Sequence, residues 1–167
     1  FGFSPGDFLP PNGGQNEFLS ALAAGSVLSP FMTLSQIVQI AVCIEATIPF
    51  RKAVDGKSPT DTLVERLRRV NTLYQLGFQE TELRPMVRRA VKLANQDVSN
   101  FGGESATRFL KNTWELVPEI NPLLRSPASY TIEGYRGALE KMEHFFSHLE
   151  PEVIFQRFDD EPSAEEY

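Results

Sequence analysis

The chain has 167 residues, 41% of them hydrophobic, enough to bury a real core in one domain. A formal net charge of −6 speaks against general nucleic-acid binding, because phosphate backbones are met by clustered cations. Cys43 is the single cysteine, which excludes an internal disulfide and a cysteine metal cluster.

Residues 1–15, FGFSPGDFLPPNGGQ, set three phenylalanines among prolines and glycines that oppose a regular helix or strand. Phe1, Phe3, Phe8 and Leu9 read as anchors of an extended arm, pinned either on a partner surface or back on the chain's own domain. The opening Phe-Gly-Phe, without an initiator methionine, is what a processed precursor or a trimmed chain would present. Processing would point to an organelle or an exported location.

Phe18 to Phe50 contains one charged residue, Glu45. Asn16 to Leu28, with Ala21, Ala23, Ala24 and Gly25, reads as a short, closely packed helix. Ser29-Pro30 then offers a cap and a first helical position, which predicts a second helix from Pro30 to just before Pro49. Its buried face would carry Leu34, Ile37, Ala41, Ile44 and Ile48. Roughly 19 helical residues measure about 28 Å, close to the ~30 Å of bilayer hydrocarbon. Gln36, Gln39 and Glu45 argue against lipid, where each would need a partner. A core or interfacial helix is expected, with direct membrane contact through 30–48 left open.

Asp55-Gly56 marks a turn. Ser58-Pro59-Thr60-Asp61 opens the next helix with a capping box, and Leu63, Leu67, Val70 and Tyr74 make its inner face up to Gly77. Another helix is expected over Thr81–Ser99, with Pro85 in its first turn and Leu83, Val87, Ala90 and Ala94 inward. Glycines in Asn100–Gly103 stop it. Ser105 caps a helix carrying Phe109, Leu110, Thr113, Trp114 and Val117, ended or bent by Pro118 and Pro122. Ser126-Pro127 opens the last helix, where Ile132, Tyr135, Leu139, Met142, Phe146 and Leu149 repeat at three-four spacing until Pro151. No strand-period run and no solenoid-period repeat occurs. The fold class is all-α: an up-down four-helix bundle with an extended N-terminal arm (1–15), a helical domain (16–150) that includes a short extra N-terminal helix, and an acidic C-terminal tail (151–167).

His144 and His148 stand one helical turn apart, a spacing that can present two imidazoles to a metal. No third ligand is named by the sequence, and Phe145 stands where a zincin would place its glutamate. A solvated helix face is the better reading, and no metal or other cofactor is assigned. Phosphate loops, nucleophile elbows and cysteine–histidine motifs are missing, so no catalytic residue is assigned. Arg84, Arg88 and Lys92 form a basic stripe that could meet an acidic partner, a phosphate or an anionic surface, or be solvated and balanced by Glu80 and Glu82. Glu150 to Tyr167 is its opposite, with seven acids and one arginine, and such a tail normally stays solvated. Phe155 and Phe158, with Val153 and Ile154, would nonetheless seek an apolar surface.

The final segment YTIEGYRGALEKMEHFFSHL, by its Tyr, Ala and Leu spacing, resembles the last helix of the extrinsic four-helix-bundle subunits of photosystems, the PsbQ-like family. Four comparable helices between Ser58 and Leu149 and a proline-containing arm ahead of them are similar as well. The resemblance implies a cofactor-free accessory subunit in the plastid thylakoid lumen, docked on larger membrane subunits. The expected function is therefore a non-catalytic subunit of a larger, membrane-associated complex, contacting it through Phe1, Phe3, Phe8, Leu9, Arg84, Arg88, Lys92, Phe155 and Phe158. Two alternatives stand beside it: a single-span membrane subunit with a soluble bundle, and a helical enzyme or ligand carrier with its site between helices. Outside the photosynthetic reading, a soluble intracellular location is expected.

Overall fold

A computed structural model describes residues 1–9, 13–103, 105–114, 131–150 and 153–162, the side chains of 112–114 excepted. Among the described residues the chain is all-helical, with α1 (Gln15–Leu28), α2 (Leu34–Ala46), α3 (Pro59–Leu73), α4 (Glu80–Asp97), α5 (Ala106–Trp114) and α6 (Ile132–Ser147), and no strand. These form two compact units, Phe1–Val98 with Glu152–Tyr167, and Ser99–Pro151.

In the first unit, local chemistry sets the helix starts. Gly14 caps α1 at φ 94°, and a Cβ there would lie 2.6 Å from Ile48 Cδ1, so glycine suits both the backbone and the close approach. The second helix does not begin at Pro30. Thr33 Oγ1 accepts from the Gln36 N–H (3.3 Å) while Gln36 Oε1 accepts from the Thr33 N–H (2.9 Å), and this reciprocal pair starts α2 at Leu34. The expected box at Ser58 and Asp61 forms as read, with both backbone-to-side-chain bonds at 3.1 Å. Glu82 accepts from the Gln79 N–H at 2.7 Å and starts α4 at Glu80, which moves Pro85 from the first turn to the second. Asn71 on α3 clamps the backbone of Phe78 through both its amide atoms (2.9 and 3.0 Å), which sets the connector into α4.

α1 packs on α2, α2 packs on α4, and α3 packs on both α2 and α4. The core between α2, α3 and α4 contains Val42, Ala46, Leu63, Val64, Leu67, Leu83, Met86, Val87, Ala90, Val91 and Ala94, joined by Phe158. All four residues assigned inward on α4 are buried there. On α3, Leu63 and Leu67 are buried, while Tyr74 is exposed because the helix ends at Leu73.

The unit from Ser99 to Pro151 holds a 3-10 turn (Ser99–Gly102), α5 and α6. Phe101, Phe109 and Phe146 cluster there, with the Phe109 and Phe146 rings 5.3 Å apart edge to face. Thr131 caps α6 through the Gly134 N–H (3.0 Å). The buried line of α6 runs through Gly134, Ala138 and Met142 with Tyr135 and Phe146 packed against it, so the expected stripe holds at Tyr135, Met142 and Phe146 and fails at Ile132, 90% exposed, and at Leu139, 36% exposed. Ile132 is the first residue of α6, and Leu139 follows the buried Ala138 by one position, so both lie off the line of Gly134, Ala138 and Met142. The readings placed on Val117, Pro118, Pro122, Ser126, Pro127 and Pro151, and on the Thr113 and Trp114 side chains, lie outside the described residues.

Candidate functional site

The basic stripe and the tail meet. Asp159 receives Arg84 Nε at 3.1 Å and Arg84 Nη2 on its other oxygen, and Arg88 Nη2 approaches at 3.2 Å. Arg88 also faces Glu161 at 3.7 Å. Lys92 remains exposed. The acids expected to balance the stripe do other work: Glu80 pairs with Arg68 of α3, and Glu82 caps α4. That hydrogen bond from Arg68 lowers the Glu80 carboxyl.

Residues 153–162 are thus not a solvated tail. Phe158 is buried in the core, beneath the Arg84 guanidinium at 5.3 Å from its ring. Asn95 donates to the Gln156 carbonyl (2.9 Å) and accepts from the Gln156 N–H (2.8 Å), and Thr60 donates to the Arg157 carbonyl (2.8 Å). Asp159 and Asp160 both adopt left-handed φ near 60°, and they turn the chain so that Phe158 and Glu161 pair backbone to backbone. Aspartate tolerates that region better than most residues, so Asp-Asp was the sequence signal for this hairpin turn. Val153, Ile154 and Phe155 are half-buried along the same segment. The acidic end at 163–167 lies outside the described residues.

The arm takes the second of its two readings. Phe1 and Phe3 pack edge-on against Phe18 of α1, with ring centroids 5.4 and 5.5 Å away. Leu9 is half-buried, and Phe8 alone of the four anchors points to water, 86% exposed. Beside the arm lies a carboxylate, the one buried among the described residues, that sequence reasoning left without a role. Glu45 is 4% exposed, with the Phe1 amino group 2.9 Å from one oxygen and Arg66 Nη2 2.6 Å from the other. Arg51 donates to the Glu45 backbone carbonyl at 3.3 Å. Burial pushes the Arg51 guanidinium down, and Glu45 opposes that shift.

The outward side of α1 leaves several large apolar side chains in water. The helix buries none of its residues fully. Gly25 faces Ile37 of α2, whereas Leu19, Leu22 and Val27 point away, each more than half exposed, and Phe31 just beyond is 83% exposed. Not one charge interrupts Phe18 to Ile44. The chain matches no protein-family model, no curated protein and no solved structure. Chemistry must therefore be read from these surfaces.

Neither α1, of 14 residues, nor α2, of 13, has the roughly 20 residues a span requires. No helix among the described residues is long and apolar enough to cross a membrane. His144 and His148 stack with centroids 4.2 Å apart, and His148 Nδ1 lies 2.8 Å from the His144 carbonyl. Among the described residues no group of three His, Cys, Asp or Glu is placed to hold a metal.

Cys43 is half-buried against the core, and burial pushes its thiol pKa up, opposed by Arg89. The thiolate is the nucleophile, so less of it is present at a given pH than in a free thiol of pKa about 8.5. Iodoacetamide at mildly alkaline pH should accordingly label Cys43 slowly in the folded chain and at the free-thiol rate in urea. Equal rates in both would show that the α2 face carrying Cys43 is open.

Proposed function

We propose that the chain is a non-catalytic accessory subunit that docks on a larger protein complex, an up-down helical bundle presenting the outward side of α1 to its partner. The observation that carries this reading is the exposure of Leu19, Leu22, Val27 and Phe31 along an uncharged stretch. A run of large apolar side chains left in water marks a surface made to be covered. The core of a protein interface is depleted in charge in the same way. The occupant is protein rather than anionic lipid, because interfacial helices are rich in Lys and Arg, whereas α1 has neither and the chain carries −6. The resemblance of the last helix adds a membrane-associated, photosynthetic host complex in the thylakoid lumen to this reading.

The test is a paired substitution, Leu22→Asp with Val27→Asp. Both side chains are exposed, so unfolding free energy should change by no more than about 0.5 kcal/mol per site. In extracts of the source cells the native chain should migrate in a high-mass fraction and the variant as the free chain. A variant that stays in the assembly, or a native chain that already migrates alone, overturns the proposal.

A further inference from the structure

The segment Gln156–Asp159 is held as a bound peptide is held. Two buried side chains, Asn95 (0% exposed) on α4 and Thr60 (2%) on α3, spend their polar atoms on its backbone, through both the N–H and the carbonyl of Gln156 and the carbonyl of Arg157. Backbone contacts of this kind recognise an extended chain whatever its side chains. Selection is added downstream, where Phe158 fills an apolar seat under Arg84 and Asp159 takes the Arg84–Arg88 fork. These hydrogen bonds and ion pairs join residues 61 to 97 positions apart in sequence, so nothing local imposes them. The occupant is also an imperfect fit. Gln156 donates through Nε2 to the Ala46 carbonyl at 2.6 Å, yet its Oε1 is buried with no hydrogen-bond partner among the described residues. A buried acceptor left unpaired weakens the bound state. At the rim, Arg84 and Arg88 remain nearly half exposed, where salt competes with the Asp159 contacts.

We infer that the α3–α4 face carrying Thr60, Arg84, Arg88 and Asn95 is a recognition site for linear peptides, and that residues 156–159 occupy it as an intramolecular ligand. Its partner in trans is an extended peptide with an aromatic residue directly followed by an acid. This site is separate from the α1 surface, and it can stand or fall without it.

The test uses the full chain with its own ligand disabled by Phe158→Ala and Asp159→Lys, titrated with a fluorescent peptide of residues 153–162. Saturable binding is expected, about tenfold or more weaker on the native chain, where the internal segment competes. Binding should also weaken about tenfold between roughly 50 and 500 mM salt. A peptide with Asp159→Lys should fail on this chain and regain affinity when Arg84→Glu is added to it. Should the double change unfold the chain, Asp159→Lys alone is titrated in its place; it breaks the Arg84 and Arg88 contacts of the internal segment, and it should bind the peptide more tightly than the native chain does. A folded, disabled chain that does not bind the peptide, or binds a scrambled one equally, overturns the proposal. So does a tail-exchanged dimer of the native chain that ignores free peptide, since the occupant would then be a second copy.

Discussion

Glu45→Ala should destabilise the chain by about 3–5 kcal/mol, the usual cost of removing one partner of a buried ion pair. The carboxylate sits at 4% exposure, its two oxygens shared between the Phe1 amino group and Arg66. Its loss leaves the half-buried Arg66 guanidinium and the Phe1 amino group without the anion that pairs with both, and removes the carboxylate that most supports the charge on Arg51. Arg66→Met should cost less, because the Arg66 side chain keeps 27% exposure and water offsets part of the loss. A double variant, Glu45→Leu with Arg66→Met, should recover much of the stability, since apolar replacements of buried pairs are often neutral or better. Chemical denaturation of the four chains ranks the three variants against the native chain. A single-variant loss under about 1 kcal/mol, the level of a surface pair, would mean that Glu45 is hydrated in solution.

Leu67→Ala should cost about 2–5 kcal/mol, as large-to-small changes do when the site cannot collapse. Leu67 is 2% exposed at the centre of the core shared by α2, α3 and α4. Leu139→Ala, on the best-patterned helix of the sequence, should stay near the ±0.5 kcal/mol of surface changes, because Leu139 is at the surface of α6. Leu67 and Leu139 belong to different compact units, so the readout is made local: hydrogen exchange of the α3 and α4 amides for Leu67, and of α6 for Leu139. Equal losses at both positions would place the organising core on α6 and overturn the division of the molecule drawn from its buried residues.

What the sequence determined by itself is local. The helical class, the box at Ser58–Asp61 and the inward set Leu83, Val87, Ala90 and Ala94 follow from contacts within one or two turns, and neighbours in sequence encode them. The start of α2 was legible too, in Thr33-x-x-Gln36, but Ser29-Pro30 offered a competing signal, and only the formed hydrogen bonds decide between them. Tertiary structure alone decided the rest. Three-four spacing on α6 marked Tyr135, Met142 and Phe146, but it could not show that Gly134 and Ala138, which carry little hydropathy, share the buried line while Ile132 and Leu139 do not. The acidic composition of the tail reads as solvation, yet Phe158 and the Asn95 and Thr60 bonds to the backbone outweigh it once α3 and α4 supply a surface 61 to 97 residues away. Glu45 looked like a blemish on an apolar helix until folding brought Arg66 and the amino group of Phe1 to it. On α1, the apolar stretch after Glu17 reads the same whether a core or a partner covers it, and the contact of Gly25 with Ile37 beside exposed Leu22 and Val27 is a property of packing that no local pattern contains.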